Sequence, residues 1–277
     1  IAGPDAAIGL LAGMAILPLA GGDLARTVVL AVELSLLSGL VLLIAARLNL
    51  GAIADLLSRP VLIGYLNGAS LVLVSTQLGK LVGIKLEGDD FFVLLHAVFA
   101  DMGRIHTPTL VFGLVLIGLL VALGRWLPRV PGALVVSAVA IAAVWLADAS
   151  AWGVSLVGAV PSGVPMPSVP LVQLADITAL APAAVAIAFL TFSDGILLSQ
   201  TFADKHRYAI NPNQELVALG VSNVAAGLFQ GFPVSASQSR SAVVDGAGGQ
   251  TQVAQLVAAA GLLLFLVFFS GLIALLP

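Results

Sequence analysis

Long apolar runs separated by short polar stretches occupy the chain from one end to the other. Most of them are continuously apolar over roughly 17 to 25 residues, a length that suits an α-helix crossing a bilayer. Strands of a membrane β-barrel would instead alternate apolar and polar positions. The pattern predicts apolar helical segments at about 4–20, 24–46, 60–84, 108–127, 131–147, 178–201, 215–231, 234–246 and 251–276.

Basic residues lie in alternate loops between these segments. Loops 47–59, 125–130 and 202–214 each hold Lys or Arg, whereas the long connection 148–177 has neither. Because Lys and Arg are retained on the cytoplasmic side, these three loops are predicted to be cytoplasmic. With this orientation, the first segment runs from the cytoplasm outward and the eighth runs inward towards the cytoplasm.

Two segments differ from the others. The first follows Gly3 and Pro4 directly, and the eighth follows Phe232 and Pro233, is short, and is rich in Ser and Gly. Two such interrupted segments of opposite direction, one early and one late, indicate inverted repeats with a binding site near the midplane. Free N–H groups at the start of each short helix, together with the helix dipole, favour an anion there.

Composition agrees with a helical membrane protein. The 277 residues are 60% hydrophobic and 9% charged, with a net charge of −3, whereas a soluble domain is about 25% charged. The chain has no cysteine, and its three histidines are scattered, so neither a disulfide framework nor a metal cluster is expected. No nucleotide-binding loop and no nucleophile–base pair is recognisable, so we expect no enzyme activity and no cofactor.

Arg240 is the most informative charged residue, because an arginine at membrane depth is costly unless protein, water or a ligand surrounds it. It could bind an anion, set a positive potential, or pair with a carboxylate. The small residues around it are also compatible with close helix packing alone. Candidate carboxylate partners within the apolar segments are Asp5, Glu33, Asp194, Glu215 and Asp245.

Acidic residues in these segments have alternative interpretations. Asp194, inside the sixth segment, would take a proton, bind a cation such as Na⁺, or form a fixed salt bridge. Asp5, just after Pro4, is either a helix cap or a residue of the anion site. Asn213 is expected to cap the seventh segment, and Glu33 is expected to contact other helices rather than substrate.

Several stretches form a recognisable set. They read NQELVALG at 213–220, Asn223, Gly227, GFP at 231–233, SRS at 239–241, GQTQ at 249–252, GP at 3–4, RPVLIGY at 59–65 and VGAVPSGVP at 157–165. Together, and in this order over essentially the whole chain, they resemble the SulP (sulfate permease) family of anion transporters.

The resemblance implies an all-α membrane protein with a uracil-permease-like fold, about fourteen spans in two inverted halves of seven. The chain matches about spans three to eleven, with two short half-helices that follow extended segments. Residues 1–277 would be a partial transport domain, in which 1–147 form most of the first repeat and 178–277 begin the second. The STAS domain common in this family is not among these residues. Both ends look cut, so we expect a larger protein.

The resemblance also implies roles for individual residues. Ser239 and Arg240 match positions at and beside the anion site, and Gln238 and Asp5 match positions whose backbone faces it. Asp194 matches the acidic position associated with cation coupling in prokaryotic and plant members, which favours H⁺ or Na⁺ symport.

The sequence therefore predicts a secondary transporter of a bacterial inner membrane with an elevator-like movement, in a family where dimers are common. Sulfate, bicarbonate and a dicarboxylate such as fumarate are the candidate substrates. An uncoupled anion channel or exchanger, and a membrane anion sensor that does not transport, are the alternatives.

Overall fold

The computed structural model describes residues 2–52, 77–84, 105–127, 130–147, 153–158, 165–168, 173–246, 248–249, 251–274 and 276, with the single positions 64, 67, 68, 71, 74, 96, 103 and 163. Contacts divide the chain into two units, one of 1–66 with 165–257 and one of 67–164 with 258–277.

The described elements are helical apart from two short strands. In chain order they are β1 (Ala2–Gly3), α1 (Ala6–Ala20), α2 (Leu24–Arg47), α3 (Thr107–Trp126), α4 (Gly132–Ala147), α5 (Leu174–His206), α6 (Pro212–Leu228), β2 (Ser235–Ala236), α7 (Gln238–Gly246), α8 (Val253–Phe268) and α9 (Ser270–Ile273).

Three of these helices, α2, α3 and α5, are long and apolar enough to cross a membrane. Helices α1, α4 and α8 are apolar but shorter. The predicted segments match these helices to within a few residues at most ends. The last segment differs, because the helix is interrupted at Phe269. The predicted segment at 60–84 and the connection 148–177 are described only in part.

Helix α2 lies at the centre of the first unit and packs most closely on α6. The backbones approach at Gly39, where an added Cβ would lie 2.8 Å from the carbonyl oxygen of Gly220. At the other end of α6, a Cβ on Gly227 would lie 2.9 Å from Leu36 Cγ. Helices in a membrane gain little from hydrophobic transfer, so small residues that allow such close contact are what hold a pair like this together.

Two apolar clusters connect the remaining helices of the first unit. One joins α1, α2 and α5 through residues that include Ile8, Leu34 and Ile187. The other joins α2, α5 and α6 through residues that include Phe192 and Leu216. In the second unit, α3 packs against α4. Helix α5 also contacts strand β2, which leads into the short helix α7.

Candidate functional site

The two short strands bring the beginnings of α1 and α7 together. Strand β1 pairs antiparallel with β2, with Ala2 opposite Ala236 and Gly3 opposite Ser235. Each strand leads directly into its helix, so the two helix N-termini lie side by side and the helices leave the ribbon in opposite directions. The first N–H groups of a helix have no partner within it, and the helix dipole makes that end positive. The pair of N-termini therefore forms a region that favours negative charge.

Asp5 caps helix α1. Its Oδ1 accepts a hydrogen bond of 2.9 Å from the backbone N–H of Ala7, and its backbone is extended. This is the capping role that the sequence analysis offered as one of two alternatives. The carboxylate thus occupies part of the positive end of α1.

Ser237 stands at the corresponding position before α7. Its carbonyl oxygen accepts from the N–H of Ser241 at 3.0 Å, which begins the helical hydrogen-bond series. Its hydroxyl lies 3.5 Å from the N–H of Arg240, and the residue is buried. The chain therefore enters α7 through a buried serine, as the favourable capping chemistry of serine predicts.

Arg240 reaches from α7 back to the strand before α1. Its Nη2 donates a hydrogen bond of 2.8 Å to the carbonyl oxygen of Pro4. The guanidinium lies against Gly3, where an added Cβ would be 2.7 Å from Nη2. Its Nε is buried and has no hydrogen-bond partner among the described residues. The positive charge of Arg240 is thereby held between the two helix N-termini.

Four of the five carboxylates proposed as partners of Arg240, all except Glu215, are engaged elsewhere or have oxygens without a partner among the described residues. Asp5 caps α1, and Asp245 binds both Lys205 and His206. Asp194 Oδ1 and both carboxylate oxygens of Glu33 are buried without a hydrogen-bond partner among the described residues. A structural ion pair of Arg240 with one of these acids is thus not seen in the described part of the chain.

Asp194 lies on α5 close to the same region. The negative charge of Asp5 acts on its carboxylate, and α5 contacts strand β2. Besides Asp194 Oδ1, the hydroxyls of Thr191 and Ser235 are buried and have no hydrogen-bond partner among the described residues. Carboxylate and hydroxyl oxygens of this kind suit a proton or a hard cation such as Na⁺. Among the described residues there is no group of three His, Cys, Asp or Glu side chains that could hold a metal.

The predicted anion-site residues lie at these two helix starts. Asp5 precedes α1, and Gln238 is the first residue of α7, with its side chain exposed. Ser239 follows in α7, but its side chain lies outside the described part. The structure therefore brings the predicted positions together at the starts of α1 and α7.

Asn223 is a residue of this region that the sequence analysis did not single out for a role. It is fully buried in α6. Its Nδ2 donates to the carbonyl oxygen of Val234 at 2.9 Å, and its Oδ1 accepts from the N–H of Val234 at 3.0 Å. The side chain therefore pairs with the extended stretch as a neighbouring strand would. A lone asparagine in an apolar segment was the signal that could have identified it.

One cap prediction was wrong. Helix α6 is capped by Asn211 rather than by Asn213, and Asn211 Oδ1 accepts from the N–H groups of Asn213 and Gln214. Pro212 explains the difference, because proline is favoured at the first helical position and sets the start of the helix one residue after Asn211.

Comparison with known proteins identifies the chain's relatives. The model of the sulfate permease family matches residues 1–277. A probable sulfate transporter of Mycobacterium tuberculosis is 44% identical over 99% of this chain and 49% of its own length. The chain thus spans about half the length of this curated relative.

Solved structures agree in fold. The inward-facing murine Solute Carrier 26 family member A9 anion transporter matches with a TM-score of 0.90 and 22% identity, over 100% of this chain and 49% of that one. The transmembrane domain of a cyanobacterium bicarbonate transporter, BicA, matches with a TM-score of 0.83 and 22% identity, over 100% of this chain and 71% of that one. At this identity the likeness concerns the fold alone.

These descriptions, and the apolar helices, bear out two predictions. The family and the matched proteins are transporters, not enzymes, as expected from the sequence. A multi-pass membrane protein is likewise confirmed.

Proposed function

Since the chain belongs to the sulfate permease family, we propose that the whole protein carries a small anion across the membrane and binds it where α1 and α7 begin. The observation that carries this proposal is the position of Arg240, whose guanidinium lies against Gly3 and bonds Pro4. A positive side chain and two sets of helix N–H groups then act on one small region, without a described carboxylate to neutralise the arginine. Such a region attracts an anion.

In this proposal Arg240 and the backbone at Gln238 and Ser239 contact the anion, while Asp5 orders the first turn of α1. Small side chains along 235–241 leave the backbone accessible. The candidate substrates are sulfate, bicarbonate and a dicarboxylate such as fumarate. The matched relative named as a probable sulfate transporter supports the first, and the fold neighbour named as a bicarbonate transporter makes the second worth testing.

Asp194 is proposed to couple transport to a cation. Its buried Oδ1 has no partner among the described residues and is affected by the charge of Asp5. It would bind H⁺ or Na⁺ as the anion binds. The cation would offset the negative charge that moves with the substrate. Symport would follow, with an elevator-like movement of a core domain against a gate domain, in a homodimer of a bacterial inner membrane. The two inverted repeats would comprise 1–147 and 178–277.

The experiment is uptake of labelled sulfate, bicarbonate and fumarate by the full-length protein in liposomes, with and without a pH or Na⁺ gradient. Competition by unlabelled anions ranks the substrates. Uptake that is driven by either gradient supports coupling. Uptake that is equally fast without a gradient would remove coupling and favour a channel or exchanger, and binding without flux would favour a sensor.

The role of Asp194 is tested by Asp194→Asn, which keeps the size of the side chain but cannot ionise. We expect coupled uptake to be lost while the protein stays folded. Asp23→Asn is the matched control, because Asp23 caps the exposed start of α2 and asparagine caps equally well. Normal coupled uptake by Asp194→Asn would count against this role.

A further inference from the structure

Glu33 is a buried acidic residue that has no role in the proposed anion site. It is the tenth residue of α2, well inside the span, and its exposure is 2%. Neither of its carboxylate oxygens has a hydrogen-bond partner among the described residues. The sequence analysis expected this side chain to make helix contacts, and contact with a helix does not by itself satisfy two carboxylate oxygens.

Among the described residues, the charges that act on Glu33 are those of Asp176 and Arg26. Arg26 lies two helical turns before Glu33 on α2, so the two residues share a face of the helix. Arg26 Nη2 donates to Asp176 Oδ1 at 2.6 Å, so the arginine charge is already matched by a nearer carboxylate. The net charge of this pair is zero, so Glu33 has no counter-charge of its own among the described residues.

Ionising the carboxyl group of Glu33 in this buried environment would cost free energy. A buried charge without a partner loses its hydration and gains nothing in return, so such groups bind a proton or a cation instead. A metal ion such as Na⁺ prefers several oxygen ligands, whereas a proton needs one carboxyl group. The observed surroundings of Glu33 therefore favour a proton.

We propose that Glu33 is a proton-binding site of this protein, separate from Asp194, and that it exchanges protons with the side of the membrane on which α2 and α5 begin. The Arg26–Asp176 pair lies towards that side, and the Arg26 side chain is 28% exposed. Asp176 Oδ2 is buried without a partner among the described residues. It is the available acceptor for the proton that leaves the carboxyl group of Glu33, before that proton passes to water.

Proton binding at Glu33 requires no assumption about anion flux. Only its use in driving uptake rests on the proposed function. The two ideas can therefore fail separately, and the tests are chosen for that reason.

The direct test is labelling by an apolar carbodiimide, which attacks protonated carboxyl groups within a membrane. The full-length protein in lipid nanodiscs is treated at about pH 6 and about pH 8, since protonation of a carboxyl group is favoured at the lower value. Peptide mass spectrometry then measures the modification of Glu33. We expect labelling that is several-fold faster at the lower pH and that is lost in Glu33→Gln. The exposed cap Asp23 is the internal control and should stay unlabelled.

The proposed route is tested by Asp176→Asn. This variant keeps the shape of the Arg26 partner but removes the proton acceptor, so we expect the pH dependence of Glu33 labelling to change while Asp23 remains unlabelled. Identical labelling in this variant would remove Asp176 from the route. Absence of Glu33 labelling in the wild-type protein, or labelling that does not vary with pH, would overturn the proton site itself.

Uptake measurements separate a functional proton site from a neutral structural acid. In Glu33→Gln we expect anion uptake to persist but to lose part of its dependence on pH. An uptake profile identical to that of the wild type would overturn a role in coupling. If the wild type shows no uptake at all, the proposed function fails while the labelling result still decides whether Glu33 binds a proton.

Discussion

Arg240 donates a hydrogen bond of 2.8 Å from Nη2 to the backbone carbonyl of Pro4, which is 236 positions earlier in the chain. The bond joins the short helix α7 to the extended stretch before α1, next to the pairing of Gly3 with Ser235. One side chain thereby connects the beginnings of both short helices. Changes that move its guanidinium, without unfolding either helix, should act on anion binding first.

Gly3→Ala is the substitution that tests the position of the Arg240 guanidinium most directly. The new Cβ would lie 2.7 Å from Arg240 Nη2, and because this atom ends a flexible side chain, the guanidinium can move away at little cost in folding free energy. We expect an unchanged melting temperature and a rise in the KM for uptake of about tenfold, or about 1.4 kcal/mol in binding. The measurement is anion uptake and thermal unfolding of the full-length protein.

Gly13→Ala is the matched control, because a Cβ there would meet nothing within 4 Å. Its KM and its melting temperature should both equal those of the wild type. A wild-type KM in Gly3→Ala would show that the position of the Arg240 guanidinium does not govern anion affinity.

Asn223→Leu should weaken both the fold and the site. The leucine has a similar size but leaves the N–H and the carbonyl of Val234 without the two hydrogen bonds that Asn223 provides. A buried polar group left without a partner costs about 1–3 kcal/mol. We therefore expect a lower melting temperature and loss of anion uptake, because Val234 directly precedes β2.

Ser222→Ala tests whether any loss of a hydrogen bond in α6 has this effect. Ser222 is half-buried, and its hydroxyl donates within α6 to the carbonyl of Ala218 in the preceding turn. Its stability and its uptake should stay near wild type. Equal melting temperatures and equal uptake in Asn223→Leu and Ser222→Ala would contradict a specific role of Asn223 in positioning the extended stretch at Val234.

Much of the helical framework was predictable because the bilayer fixes the length of an apolar segment. The predicted segments 24–46 and 131–147 correspond to α2 and α4 nearly to the residue. Helix α5 is longer than its segment 178–201, extending over Leu174–His206. Apolarity marks only the part of a helix inside the membrane, and α5 continues through polar residues at both ends.

The geometry of the site was less predictable, because it depends on contacts between distant parts of the chain. Pro4, Pro233 and Arg240 marked the two helix starts, since proline and a membrane arginine are visible in the sequence. The pairing of Gly3 with Ser235 and the bonds of Asn223 to Val234 have no local signal of that kind. Neither contact lies within a single helix or strand, so no periodic pattern along the chain encodes it.

Gly39→Ala should destabilise the first unit through the contact of α2 with α6. The added Cβ would lie 2.8 Å from both the carbonyl oxygen of Gly220 and the backbone N of Val224. Backbone atoms cannot rotate away, so the two helices have to separate, at a cost of about 1–3 kcal/mol. Thermal unfolding of the full-length protein in detergent should show a lower melting temperature, whereas Gly118→Ala, with open space around it, should not. Equal melting temperatures for both variants would contradict this close packing.

Asp245→Asn should reveal an acid-sensitive contact between α7 and the end of α5. Hydrogen bonds from Lys205 and His206 hold the pKa of Asp245 below its ordinary value of 3.8. A carboxylate whose pKa is lower in the folded than in the unfolded protein stabilises the fold at any pH above its unfolded-state pKa. This stabilisation is lost as the pH falls through the folded-state pKa. The wild type should therefore be slightly more stable than Asp245→Asn near neutral pH. The difference should begin to shrink as the pH falls below about 4, and it should vanish only once the pH is below the lowered folded-state pKa of Asp245.

The difference in stability between the wild type and Asp245→Asn should be small, because Lys205 and His206 are largely exposed and solvent screens such ion pairs. Melting temperatures of both proteins across the acid range, at low and at high salt, provide the measurement. The difference should shrink at high salt as well as at low pH, because screening and protonation remove the same attraction. A difference that persists after the carboxylate is protonated would mean that Asp245 acts on α7 through its shape rather than through its charge.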